Sequence, residues 1–173
     1  YRKNGNIVVR MVMAASFASV LLKPLGALPF FVHLWGDTET GKSVALLAAV
    51  SVWAEPVIGK YAYTFNSTDV GNELYAACLN SLPLCMDELQ ILNKRSDFDD
   101  IIYRLCEGTG RLRGKKDGGI QNIKTWRNCI ITTGERPITS MSSGGGAVNR
   151  VIEIECNGGK FFKNPREFCR TIQ

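Results

Sequence analysis

The 173 residues are 45% hydrophobic and 21% charged with a net charge of +5, the make-up of one soluble domain large enough to bury a core without staples. That composition excludes a low-complexity or repeat protein, and the modest positive charge favours a polyanionic partner only weakly. The most apolar stretch, Ile7–Leu22, is interrupted by Arg10, Ser16 and Ser19; a membrane span needs about 20 nearly uncharged residues, so a buried helix is expected and no membrane partner.

After that helix, Phe30–Trp35 (FFVHLW) is an aromatic and β-branched run between Pro29 and Gly36 and predicts a buried strand. Lys42–Trp53 follows a glycine turn, is rich in Ala and Leu, and predicts a helix ending near Pro56. Tyr61–Phe65 predicts a short strand, and Ser67, Thr68 or Asp69 can cap a helix running through Leu79. Leu82–Met86 reads as a buried strand, Phe98–Cys106 as a helix stopped by Gly108 and Gly110, and Arg111–Gly119 as an exposed loop or hairpin tip. Trp126–Thr132 predicts a strand, Ser140–Ala147 a flexible loop, Val151–Glu155 the last strand, and Asn164-Pro165 a helix start. Helices alternating with short buried strands predict an α/β fold with a mainly parallel sheet.

Three segments are expected: a helical lead-in over 1–29, a core over 30–158, and the start of a C-terminal helical extension over 159–173. The chain opens at Tyr1 and closes just after a helix start, which reads as a piece of a longer protein. The six cysteines, Cys78, Cys85, Cys106, Cys129, Cys156 and Cys169, form no CxxC pair, and the single histidine, His33, has no partner at zinc spacing. Reduced, mostly buried thiols in a cytoplasmic protein are expected.

Gly36, Asp37, Thr38, Glu39, Thr40, Gly41, Lys42 and Ser43 fit GxxxxGK followed by Ser or Thr at every fixed position. Glycines let backbone amides fold around phosphate, and the helix that follows presents its positive end. In that reading Lys42 reaches the outer phosphates, the Ser43 hydroxyl binds magnesium, and Asp37 and Glu39 point outward. The strand before the loop and the helix after it are the context the motif requires. Downstream, an apolar strand ends in Asp87-Glu88. Asp87 is placed to hold the same magnesium, and Glu88 to orient and deprotonate an attacking water. The strand ending in Thr132-Thr133-Gly134-Glu135-Arg136 offers a γ-phosphate sensor at Thr132 or Thr133, the latter chosen as the site residue. Arg150, ahead of the last strand, is read as an arginine that acts on a neighbouring subunit's nucleotide in a ring, with Arg136 and Arg127 as competitors.

WGDTETGKSVALLAAVSVWAEP, TFNSTDVGNELYAACLNSLPLCMDELQ, EGTGRLRG and WRNCIITTGERPI resemble the bacterial and phage-borne family known as domain of unknown function 927. Its members are often described as helicase or primase-associated ATPases of mobile elements. The resemblance implies a P-loop NTPase core of the additional-strand class, RecA- or AAA+-like, with Gly36–Ser43 as Walker A, Asp87 and Glu88 as Walker B, and a TGE-type segment at Thr133–Glu135. ATP and magnesium are the cofactors so implied, and a homo-oligomeric ring the assembly. The basic stretch carrying Arg111, Arg113, Lys115 and Lys116 lies between the carboxylate and sensor strands and could grip a nucleic-acid backbone, single-stranded DNA being favoured. The expected function is therefore a DNA-dependent ATPase, a helicase or translocase motor; the alternatives are a regulatory or protein-remodelling ATPase, and a nucleotide-binding scaffold that hydrolyses poorly.

Overall fold

Five parallel strands, β1 (Phe30–Trp35), β2 (Tyr63–Thr64), β3 (Leu84–Asp87), β4 (Cys129–Gly134) and β5 (Val151–Glu155), form one sheet in the order β2-β3-β4-β1-β5. The computed structural model describes residues 6–64, 68–88, 96–112, 114, 119–139 and 143–173. Parallel neighbours cannot be joined by tight hairpins, so the chain crosses over through helices that must cover both faces. The helices are α1 (Ile7–Leu22), α2 (Lys42–Val50), α3 (Asp69–Leu79), α4 (Ser96–Glu107), α5 (Gly145–Val148) and α6 (Pro165–Ile172). β4 stands between β1 and β3, so the sheet carries the expected additional strand between the glycine-loop strand and the carboxylate strand.

Strand pleating divides the core in two. Val32, Leu34, Cys85, Cys129 and Ile131 face α1 and α2, whereas Phe31, Leu84, Met86 and Ile130 face α4 and α5. The two clusters make a three-layer sandwich. Cys85, Cys106, Cys129 and Cys156 are buried, Cys169 half-buried and Cys78 exposed, and all six thiols are free. Burial pushes the Cys106 thiol up to about 12 and the Cys156 thiol to about 11, which keeps both as inert core groups.

Several boundaries differ from the sequence reading for local reasons. Thr68 is the residue that caps α3, its Oγ1 accepting from the Gly71 amide at 3.2 Å. β4 begins at Cys129 because Trp126 turns into the core, donating its indole N–H to Leu105 O at 2.8 Å. Part of the expected Ser140–Ala147 loop is the short turn of α5, and 140–142 lie outside the described residues.

α1, expected as a buried helix, is buried on one side only. Its Val8, Val9, Val12 and Leu22 are buried, but Ile7, Met11, Phe17 and Leu21 are exposed. The two serines that interrupt its apolar run are fully buried fastenings. Ser16 Oγ donates to Ala49 O at 3.1 Å and accepts from Trp53 Nε1 at 2.7 Å. Ser19 Oγ donates to Ser81 O at 2.8 Å and accepts from the Cys129 amide at 2.9 Å. No helix among the described residues is long and apolar enough to cross a membrane. Replacing Ser19 by Ala should strand a buried amide and a carbonyl, costing about 1–3 kcal/mol. The readout is a lower urea midpoint at unchanged slope; an unchanged midpoint would mean the Cys129 amide had found another partner.

Candidate functional site

β1 runs into a tight loop that only glycine can close at two points. Gly36 and Gly41 take φ values of 139° and 103°, which carry a steric penalty for any residue with a Cβ. Space is short as well: a Cβ on Gly36 would lie 2.4 Å from Asn157 Oδ1, and one on Gly41 3.1 Å from the Phe162 ring. Within the loop Thr40 Oγ1 donates to Asp37 O at 3.1 Å. Asp37, Thr38 and Glu39 are exposed, so both acidic side chains point outward as expected. Lys42 is buried at the start of α2, and its Nζ donates to Gly36 O at 2.8 Å and Asp37 O at 2.5 Å. A cation is thereby held inside a glycine loop at a helix N-terminus, the arrangement that attracts phosphate.

The next turn of α2 faces the tips of β3 and β4. Ser43 Oγ donates to Asp87 Oδ1 at 3.0 Å, and Thr133 Oγ1 donates to the same oxygen. The Glu88 amide in turn donates to Thr133 Oγ1 at 3.1 Å. Asp87 is 4% exposed, so these hydroxyls replace water around a buried carboxylate. Glu88 is exposed and sits at φ 56°, outside the usual range for a residue with a side chain. Backbone strain of this kind costs on the order of 1–3 kcal/mol and concentrates at functional positions. The pleat separates the two threonines: Thr133 shares the α2 face with Asp87, while Thr132 points to the other side.

There Thr132 meets His33. His33 is fully buried, with Nδ1 2.8 Å from Thr132 Oγ1 and Nε2 2.9 Å from Arg136 O. Burial holds its pKa below the usual value, so the ring is neutral. A carbonyl can only accept, so Nε2–H donates to Arg136 O and Nδ1 accepts from Thr132. Glu153 of β5, registered opposite His33, takes the Ile138 and Thr139 amides at 2.7 and 2.9 Å. The turn after β4 is thus pinned by two neighbouring strands, and no sequence motif signals it.

The loop, α2 and the two strand tips open on a cleft of about 940 Å³. Glu88, Thr133 and Glu135 line one wall; Lys160, Asn164, Pro165 and Arg166 line the other. The second wall was missed by sequence reasoning, which treated 159–173 as the start of an extension. Asn157 Oδ1 accepts from the Asp37 amide at 2.8 Å, the Phe161 amide donates to Thr40 O at 2.9 Å, and Phe162 is buried against Gly41. These contacts strap the C-terminal segment to the loop. Among the described residues no group of three or more His, Cys, Asp or Glu could hold a metal. Ser43, which lines the cleft, and the buried Asp87 behind it offer something smaller, a pair of hard oxygens that fits a magnesium ion keeping most of its waters.

Arg150 and the basic stretch stand elsewhere. Arg150 precedes β5 and so lies at the N-terminal end of the sheet, opposite the cleft. It donates to Gly146 O at 2.6 Å and stacks on Tyr103 at 5.2 Å. Arg127, a competitor for its role, is occupied by the Gly108 and Trp126 carbonyls at 3.0 and 2.8 Å. Among the described residues of the 109–125 excursion, Thr109 bridges Thr125 and Gly114 bridges Ile120, both antiparallel, and Thr109 and Thr125 stand at the same end of the sheet as Arg150. Arg111 of the excursion is exposed; Arg113, Lys115 and Lys116 lie outside the described residues.

A solved structure described as SCCmec type IV Cch, an active helicase, is similar to this chain with a TM-score of 0.69 and 25% identity. The match covers 95% of this chain and 30% of that one, so the chain spans about a third of that protein's length. No curated protein matches the chain. The profile of the family described as Domain of unknown function (DUF927) matches residues 2–125, from α1 through the glycine loop and Asp87-Glu88 to the far arm of the excursion. The chain belongs to that family.

Proposed function

We propose that the chain binds ATP with magnesium at Gly36–Ser43, hydrolyses it, and uses the cycle to drive a helicase or translocase on nucleic acid. The carrying observation is the convergence of Ser43, Thr133 and the Glu88 amide on one buried carboxylate beside a glycine loop that holds Lys42. Lys42 exchanges its loop carbonyls for the outer phosphate oxygens. Ser43 and Asp87 would hold magnesium, which neutralises charge developing on the transferred phosphoryl group. Glu88 has the exposure and the position to orient water and take its proton. Thr133, tied to the Asp87 carboxylate and the Glu88 amide, keeps the metal-side and water-side groups in register, and its hydroxyl would reach the outer phosphate by exchanging Asp87 for a phosphate oxygen.

Movement on nucleic acid draws support from two sources. The structurally similar SCCmec protein is described as an active helicase, and the excursion carrying Arg111, Arg113, Lys115 and Lys116 concentrates cations between β3 and β4. One observation favours the second reading, a protein-remodelling ATPase: Leu112, Ile120 and Ile123 of that excursion are 63%, 60% and 49% exposed, an apolar content suited to a protein partner.

The complete protein should show ATPase activity that depends on Lys42 and rises with single-stranded DNA. Changing Arg111, Arg113, Lys115 and Lys116 together to Ala should bring the ratio of rates with and without DNA to about one. DNA affinity should also lose most of its salt dependence, by roughly one unit of logarithmic slope per phosphate contact removed. Equal stimulation in the quadruple variant would sink the role of the excursion, and no DNA binding by the unaltered protein would favour the remodelling reading.

Arg150 cannot serve its own cleft from the opposite end of the sheet, so its proposed role as an arginine finger requires a ring. Mixing Arg150→Ala and Lys42→Ala proteins should then restore part of the lost ATPase at mixed interfaces. A monomer with full activity would rule that out.

A further inference from the structure

The cleft has a second chamber. Beyond Val44, and sharing Val44, Pro165 and Arg166 with the main cleft, lies an open, solvent-facing pocket of about 350 Å³ lined also by Cys169 and Arg170 of α6. We infer that this chamber is the nucleoside subsite, in which a flat nucleobase and its ribose rest against α6 between Arg166 and Arg170.

The inference rests on the proposed phosphate site and follows from its polarity. Glu88 and Thr133 stand on the β3–β4 wall, so the phosphate to be cleaved faces that wall. Lys42 holds the outer phosphates, and the loop amides cradle the inner ones. The far end of the ligand therefore points to the opposite wall, which is built by α6 and opens into the chamber. Pro165 and Cys169 are half-buried there and give an apolar floor. Arg166 and Arg170, four residues apart, share one helix face. Among the described residues neither guanidinium takes part in an ion pair or a hydrogen bond. A planar guanidinium stacks on an aromatic ring and donates to ring nitrogens or ribose hydroxyls. The fastening of α6 makes the fit specific. Phe168 of α6 packs on Phe162 at 4.5 Å, and Phe162 seals against Gly41. The base-side wall is thus anchored to the phosphate loop itself.

The consequence is that affinity should divide between the two chambers. The test compares ATP with inorganic tripolyphosphate, each with magnesium, on the full chain by calorimetry. Arg166→Ala combined with Arg170→Ala removes the stacking cations from an exposed helix face. Cys169→Trp fills the chamber instead, at a half-buried position. Both variants should weaken ATP binding roughly five- to tenfold or more, the worth of a stacked cation or of excluding the ring. Tripolyphosphate affinity should not change in Cys169→Trp, which alters no charge, and should fall less than ATP affinity in the double arginine variant, because Arg166 also lines the main cleft. ATP bound by the unaltered protein no more tightly than tripolyphosphate would overturn the subsite and leave the phosphate site standing. So would unchanged ATP affinity in both variants. Equal losses for both ligands would move the two arginines onto the phosphates and overturn it as well. Failure of the unaltered chain to bind either ligand would remove the phosphate site, and the subsite with it.

Discussion

A single buried carboxylate organises this molecule's working end. Asp87 Oδ1 accepts from Ser43 at the start of α2 and from Thr133 at the tip of β4, and Thr133 also holds the backbone of Glu88. Three elements far apart in sequence are thereby joined at one oxygen. Burying an unpaired carboxylate would cost several kcal/mol, which Ser43 of α2 and, through the insertion of β4 between β1 and β3, Thr133 offset. The order of strands and the arrangement of the site are one constraint.

The same sheet polarity separates the proposed tasks. The parallel strands all point their C-terminal ends at the glycine loop, so the cleft lies at one end of the sheet. Arg150 and the bridged pair Thr109–Thr125 lie at the other. β3 and β4, paired through Leu84–Ile130, Cys85–Ile131 and Met86–Thr132, run from that end up to Glu88 and Thr133. His33 adds a lateral tie: it connects β1 to β4 through Thr132 and to the turn beyond through Arg136 O. Glu153 clamps the same turn from β5.

Much of this was legible in the residues. The glycine loop announced itself by spacing, and the apolar run before Asp87-Glu88 marked the carboxylate strand. Period-two reasoning also separates Thr132 from Thr133 once Ile131 is assigned to the α2 face, though spacing along the chain had left the two open. Other features were illegible for physical reasons. Ser16 and Ser19 look like breaks in an apolar helix because hydropathy prices a hydroxyl without its partner, and their partners lie in α2, the turn after it, β4 and the turn after α3. The second wall of the cleft comes from residues that look like an ordinary polar tail, since Lys160, Asn164 and Arg166 acquire meaning only when Phe162 docks on Gly41. That docking couples residues 121 positions apart, beyond any local pattern.

In the proposed cycle Asp87 and Glu88 divide the labour, one holding the metal side and the other the water. Measuring ATP affinity and single-turnover hydrolysis side by side in Glu88→Gln tests it most directly. Affinity should stay near that of the unaltered protein while hydrolysis falls by about 10²- to 10⁴-fold, the usual contribution of a positioned general base. Asp87→Asn should lose hydrolysis together with its magnesium dependence. Normal hydrolysis by Glu88→Gln, with Asp87→Asn merely binding a little less well, would contradict the account and make the site a nucleotide switch.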